Sequence, residues 1–295
     1  MRYRVEHLTR YCYERPVTQC HNRAHLLPRD TAQQRCLGSA IQVSPAPVVA
    51  AERRDYFDNR IYLFSVESLH TDLEVRVVSQ VEVEGRNGLE PELDFGITCA
   101  EARERLWRGA AEEHLLAREF LLDSPMVRTG TALSDYAAPS LADARPLLSG
   151  VRELTARIFR EFAYDPGFST IATPLDEVLE SRRGVCQDFA HLAIGCLRAL
   201  GFPARYVSGY VETQPGPGHQ RMVGADASHA WFAVYVPGEG WVDFDPTNDN
   251  MPGSQHITTA WGRDYADVTP LCGIVFDGGD CREMTVAVDV ERLPS

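Results

Sequence analysis

The stretch RRGVCQDFAHLAIGCLRALGFPARYVSGYV, residues 182–211, constrains the architecture more than any other. From Gln187 to Leu200 only Gln187, Asp188, His191 and Arg198 are clearly polar. A helix with this composition is apolar nearly all round and has to be covered on every side, so it runs through the middle of a domain. Cys186 stands at its N-terminus, behind Gly184. Unpaired backbone N–H groups and the positive end of the helix dipole favour a thiolate there and can hold an oxyanion. On position alone, Cys186 reads equally well as a nucleophile or as a packed thiol of the kind expected at Cys196.

The rest of the chain divides by pattern. In DLEVRVVSQVEVE, residues 72–84, Leu73, Val75, Val77, Ser79, Val81 and Val83 share one parity, which is a strand with one buried face. Asp58-Asn59 lies between two aromatic-rich runs and reads as a hairpin turn. Residues 1–98 are therefore expected to form an all-β domain. From Cys99 to Leu122 helix formers take over, with Leu106, Ala110, His114, Ala117 and Leu121 near one stripe. Proline, glycine and serine without a sustained period follow, so residues 99–148 read as a helical connector and linker. The second domain, 149–295, opens with a helix presenting Val151, Leu154, Ile158 and Phe162 on one face. Thr173, followed by Pro174 and Asp176, marks a capped helix start.

Composition narrows the function classes. A length of 295 residues exceeds one average domain of about 100–200 residues. The formal net charge of −13 makes nucleic acid and anionic membrane surfaces poor partners. The N-terminus lacks the apolar core of a signal peptide and no run approaches about 18 apolar residues, so a cytoplasmic location is expected. Eight cysteines without a CxxC pair read as reduced thiols. Cys20, His21 and His25 have no fourth ligand at a familiar spacing. No acidic loop of the D-x-D-x-D-G type suggests calcium. Neither a metal nor another cofactor is expected.

Two strands downstream of the buried helix supply possible partners for Cys186. ASHAWFAVYVPGEGWVDFDPTND, residues 227–249, reads as a hairpin turning at Pro237-Gly238-Glu239, with His229 beginning its first strand and Asp245 ending its second. Thiol, imidazole and carboxylate in this order compose a Cys-His-Asp triad. A three-residue loop pairs Val236 with Gly240 and leaves His229 diagonal to Asp245 on one face, with Cβ atoms about 7–8 Å apart. An even-numbered loop without a bulge would place them on opposite faces. Asp243 has the same parity and is a rival for the acid. His191, one helical turn from Gln187, reads as a residue that supports the site from behind or as a satisfied core histidine, and Asp188 as an orienting or first-turn acid.

The segments GVCQDFAHLAIGCLRALGFPARYVSGY, SHAWFAVYVPGEGWVDFDPTN, YRVEHLTRYCYERPV and RDYFDNRIYLF closely resemble the bacterial transglutaminase-like cysteine protease family, over nearly the whole chain. The resemblance implies an α+β, papain-like core preceded by an all-β N-terminal region. In that core a helix carrying the cysteine packs on an antiparallel sheet carrying histidine and aspartate. Cys186 matches the nucleophile, His229 the base and Asp245 the orienting acid. No tryptophan lies between Trp107 and Trp231, so an indole oxyanion donor just upstream of the cysteine is lacking, and Tyr164 is the substitute considered.

The expected activity is acyl transfer on a peptide or protein substrate through a thioester. Hydrolysis, of protease or amidase type, is favoured because water is always present. Transfer to an amine, with protein cross-linking, is the alternative acceptor chemistry. A catalytically idle scaffold, with the N-terminal domain as a binding module, is the alternative from a different class.

Overall fold

The computed structural model describes residues 1–84, 93–109, 111–170, 173–212 and 228–294. Six strands come first: β1 (Arg2–Val17), β2 (Gln19–Ala24), β3 (Gln34–Ser44), β4 (Val49–Arg54), β5 (Arg60–Val66) and β6 (His70–Val83). Alternation in β6 has the expected consequence, since Leu73, Val75, Val77, Ser79, Val81 and Val83 are all buried. The turn at Asp58-Asn59 joins β4 to β5. Tyr56 and Phe57, read as part of the flanking runs, lie in the turn itself. Asn59 is wholly buried and has a task beyond the turn, described below.

The helical region that follows is more broken than its composition suggests. α1 (Cys99–Arg108) ends where Gly109 turns extended, and α2 (Glu112–Arg118) runs into a single 3-10 turn, Glu119–Leu121. Ala110 lies outside the described residues. Within the expected linker the chain forms α3 (Thr131–Ala137), before α4 (Leu147–Glu161), β7 (Ala163–Tyr164), α5 (Leu175–Ser181) and β8 (Arg183–Gly184). Val151, Leu154 and Ile158 of α4 are fully buried, as their spacing requires. α5 starts one residue later than expected: Pro174 is its N-cap, and the Thr173 hydroxyl accepts from the Thr170 N–H instead of capping the helix.

α6 (Cys186–Ala199) is the central helix, buried from Asp188 to Arg198. It lies between α3, α4 and α5 on one side and, on the other, a sheet ordered β11-β10-β9-β12. The sheet strands are β9 (Ala204–Val211), β10 (Ser228–Val236), β11 (Gly240–Phe244) and β12 (His256–Gly262). Arg198 is tolerated inside because its guanidinium donates to the carbonyls of Ala204, Leu122 and Arg263 and to the Ser124 hydroxyl. Tyr206, Ala230, Phe232, Val234 and Phe244 face the helix.

Two further strands close the chain, β13 (Leu271–Phe276) and β14 (Cys281–Leu293). Chain position groups them with residues 149–295, but hydrogen bonding places them in the N-terminal sheets, whose orders are β14-β1-β6-β3 and β13-β2-β5-β4. Chain continuity does not bind a strand to the nearest sheet, because its ladder groups pair wherever an edge is open. β1 and β2 offer those edges.

The two parts are joined by an apolar cluster and by specific polar contacts. Tyr3, Val5, Val81, Val83, Val288 and Val290 pack on Tyr210 and Ile257 of the second sheet. Asn59 donates to the Trp261 carbonyl at 2.8 Å and accepts from the Trp261 N–H at 2.9 Å. Gln34 makes the same reciprocal pair with Thr258, at 2.7 and 2.8 Å. Satisfying buried backbone groups by side chains of the other part fixes their relative placement. All eight cysteines are free thiols. Among the described residues no helix is long and apolar enough to cross a membrane.

Candidate active site

Cys186 is the first residue of α6, with Val185 as an extended N-cap. Its position is fixed by Asp188, whose carboxylate reaches back to the Val185 N–H at 2.8 Å and also accepts from the Ser169 hydroxyl. The Asp188 side chain folds directly over Gly184: a Cβ there would stand 2.8 Å from two Asp188 atoms, so only glycine fits. Burial pushes the Asp188 carboxyl up, against the lowering effect of these hydrogen bonds. Asp188 is therefore an anchor for the cysteine turn and lies outside the His–Asp pair.

The hairpin takes the odd register. Val236 pairs with Gly240 and Phe232 with Phe244 across the turn at 237–239, and Gly238 and Gly240 adopt φ of 95° and 90°. Such left-handed backbone favours glycine at both positions. Continued to the strand ends, this register sets His229 diagonal to Asp245, and His229 Nε2 lies 2.7 Å from Asp245 Oδ2. The Cys186 thiol acts on the same imidazole, by hydrogen bond and charge. The charge of Asp243, the rival acid, acts on Arg205, where it opposes the lowering of the guanidinium by burial.

Asp245 is wholly buried and saturated with donors. Oδ2 faces His229 Nε2, Asn248 Nδ2 at 2.7 Å and His256 Nε2 at 3.1 Å. Oδ1 accepts from the Thr247 and Asn248 N–H groups at 2.9 and 3.2 Å. Burial alone would raise this carboxyl, but the bonds from His229 and His256 overcome it and hold it well below the usual carboxylate range. For His229, burial opposes the charge, while the hydrogen bonds and negative charges of Asp245 and Cys186 outweigh it and push the imidazole up to about 10. The arrangement is thus an imidazole clamped between a buried carboxylate and the cysteine sulfur.

The ligand atoms of His229, Asp245 and His256 lie within 4.8 Å of one another, the spacing of a metal site. Both imidazoles, however, direct Nε2 at the same carboxylate oxygen, which is the geometry of two donors sharing one acceptor. Cys20, His21 and His25 are not gathered: Cys20 contacts His70, His21 bonds Ser65, and His25 spans the Thr269 carbonyl and Asp55.

The other expected residues take different places. Tyr164 pairs in β7 with Gly184 of β8, two residues before the cysteine. Its ring stands edge-on to Phe189 and is half exposed, and burial followed by the Cys186 charge raises its hydroxyl. Gln187 lines the cleft beside Cys186. His191 is a core residue: its Nε2 accepts from the Tyr265 N–H at 3.1 Å, and burial lowers its imidazole to about 4. His191 reaches the site through Tyr265 and through its ring contact with Tyr206, both of which line the cleft.

His256 and Asn248 are functional contacts that the sequence reading misses. Asn248 had a local signal, since an aspartate commonly bonds the backbone N–H groups two and three residues on. His256 had none, because β12 meets β9 only in the folded sheet.

A cleft of about 520 Å³ opens in front of Cys186 and His229. Tyr206, Ser208 and Tyr210 alternate onto one face of β9: Tyr206 lies under α6, Tyr210 under β1, and Ser208 on the cleft floor between them. The opposite wall comes from the N-terminal sheet, where the cross-strand pairs His7–Val288, Thr9–Val286 and Tyr11–Met284 face inward. His7 bonds the Tyr210 hydroxyl at 3.1 Å and Thr9 Oγ1 at 2.9 Å, and burial lowers its imidazole to about 4, so it is neutral near pH 7.

Residues 3–82 match the family described as Bacterial transglutaminase-like N-terminal region, and residues 134–246 match the Transglutaminase-like superfamily. An uncharacterized protein of Mycobacterium tuberculosis is 41% identical over 98% of this chain and 92% of its own length. A protein-glutamine gamma-glutamyltransferase of Pseudomonas aeruginosa is 27% identical over 65% of this chain and 29% of its own length. A crystal structure from Cytophaga hutchinsonii, described as "a Putative Cysteine Protease", has a TM-score of 0.75 at 20% identity, covering 100% of this chain and 92% of that one. The fold is the α+β, papain-like arrangement, preceded by a β-rich region.

Proposed function

Because this chain belongs to the transglutaminase-like superfamily and carries the bacterial transglutaminase-like N-terminal region, we propose that it is a cysteine-dependent acyl-transfer enzyme acting on peptide or amide bonds. The observation that carries the reading is His229, bonded to the buried Asp245 and partnered by Cys186 at the start of α6. Cys186 Sγ, its proton passed to His229, attacks the substrate carbonyl. The amides in the first turn of α6, which lack helical acceptors, take the oxyanion, with the Tyr164 hydroxyl as a further donor. The C–N bond breaks as the His229 imidazolium protonates the departing amine, leaving a thioester on Cys186. An incoming water then gives its proton to the neutral imidazole and attacks the thioester, releasing an acid and restoring the thiol.

Hydrolysis is the favoured second step, as water requires no site of its own. The likeness to a protein-glutamine gamma-glutamyltransferase gives the amine acceptor a specific claim as the second reading. A glutamine-containing peptide and a labelled primary amine separate the two in a time course. Deamidation or cleavage is expected to outpace label incorporation; incorporation greatly faster than either would overturn hydrolysis and establish the transferase.

The N-terminal sheet acts in this reading as the substrate-selecting wall, which distinguishes it from a remote binding module. Met284 is over half exposed on that wall. Met284→Lys puts a charge into the apolar side of the cleft and is expected to raise KM about tenfold while changing kcat less than about twofold. Steady-state kinetics check this; a fall in kcat with KM unmoved would remove β14 from substrate binding.

A further inference from the structure

The chain carries 42 acidic and 29 basic side chains, yet the cleft in front of Cys186 has almost no part of them. Apart from the pair Cys186 and His229, no described residue that lines it is charged near pH 7. His7, the other histidine there, is neutral and commits its two ring nitrogens to Thr9 and Tyr210. Three other cavities of comparable volume, about 460 to 630 Å³, are each lined by acidic and basic side chains together. One of them shares Gln187 with the cleft and still holds Arg128 and Asp176. Freedom from charge is therefore particular to the cleft that contains the nucleophile.

What lines the cleft instead has two kinds of chemistry. Leu271, Met284, Val286 and Val288, from β13 and β14, supply apolar surface. Gln187, Tyr206 and Ser208 supply a carboxamide and two hydroxyls, neutral groups that both donate and accept. Apolar side chains fit against the first set, while the N–H and C=O groups of a peptide backbone find partners in the second. An ionised side chain lodged in the same space gives up its water and meets no opposite charge, because any charge on His229 is already matched by Asp245.

We infer that the cleft selects a peptide whose residues beside the reacting amide are uncharged and apolar, and rejects acidic and basic ones alike. The inference rests on the acyl-transfer reading, which makes the occupant a peptide.

Cys186 itself reports occupancy, since a peptide in the cleft shields the thiol from iodoacetamide whether or not it is turned over. The intact protein is alkylated in the presence of N-acetyl-Leu-Phe-Leu-amide, or of the same peptide with Glu or Lys in place of Phe. About 0.15 M salt screens the long-range pull of the net charge of −13 on the basic peptide. Protection by the Phe peptide is expected to saturate below about 1 mM, and half-protection by either charged peptide to need at least about tenfold more. Val286 is 48% exposed on the cleft wall, so a longer side chain has room there. Val286→Lys is expected to weaken the Phe peptide and to tighten the Glu peptide, each by about fivefold or more, with the Lys peptide still excluded. The wild-type series decides by itself where the variant does not fold. Equal protection by all three peptides, protection by none, or no gain for the Glu peptide in a folded Val286→Lys would overturn the inference. Mass spectrometry of the same mixtures separates the two readings: selective protection with no peptide consumed would keep the selectivity and remove the acyl-transfer chemistry.

Discussion

Cys186→Ala is expected to lower acyl-transfer turnover by about 10⁴-fold or more, with folding stability altered by only about 1 kcal/mol. The side chain is small and half-buried at a helix start, so its loss opens little space. The first-turn amides, His229 and Asp245 all remain. They can still bind a carbonyl and polarise it, but without sulfur no thioester forms, and any residual rate is that of direct water attack. Turnover of a peptide amide alongside thermal unfolding checks both halves. Retained turnover in a folded Cys186→Ala protein would show that Cys186 is not the nucleophile, whereas no turnover in the wild type would leave the scaffold reading, in which the thiol is idle.

The second large effect is expected at Asp245→Asn. An aspartate accepts at both oxygens, and here both are in use: three side-chain donors converge on Oδ2 and two backbone N–H groups on Oδ1. An asparagine must turn its NH2 toward one of these sets, so donors face donors whichever way it is placed. Turnover is expected to fall by about 10³–10⁴-fold, because the imidazole loses its orientation and the charge that stabilises it. The His229 ring, raised to about 10 in the native protein, should titrate close to the ordinary value of about 6.5 or below it. NMR of the ring protons measures this shift directly, and an unchanged titration would contradict the clamp.

The same pair sets a pH dependence of stability. His229 has a folded value above the unfolded one, so its contribution is complete below about 6.5 and is lost as pH rises toward about 10. Asp245 is depressed, so its contribution is present above about 3.9 and is lost as pH falls through the depressed value. Asp245→Asn should flatten both limbs.

What was legible in the sequence had a local physical cause. The β6 alternation shows which face is buried because strand side chains alternate strictly. The apolar circumference of α6 predicts its central position. The odd loop at 237–239 fixes the register that aligns His229 with Asp245. What stayed hidden depended on pairings between distant segments. His256 reaches Asp245 only because β12 joins β9 at the sheet edge. β14 pairs with β1 across almost the full chain, so neither the wall of the cleft nor His7 carried a sign of nearness to Cys186. The capping of α5 was missed for a smaller reason: Thr173 has a competing local partner in Thr170.

The most direct test is the rate of iodoacetamide modification at Cys186, followed by peptide mass spectrometry, in wild type and His229→Ala near pH 6, well below the ordinary thiol range of about 8.5. The account predicts modification at least about tenfold faster in wild type, because the imidazolium held by Asp245 stabilises the attacking thiolate. Equal rates at an accessible Cys186 in the two proteins would contradict it and leave the thiol without an activating partner.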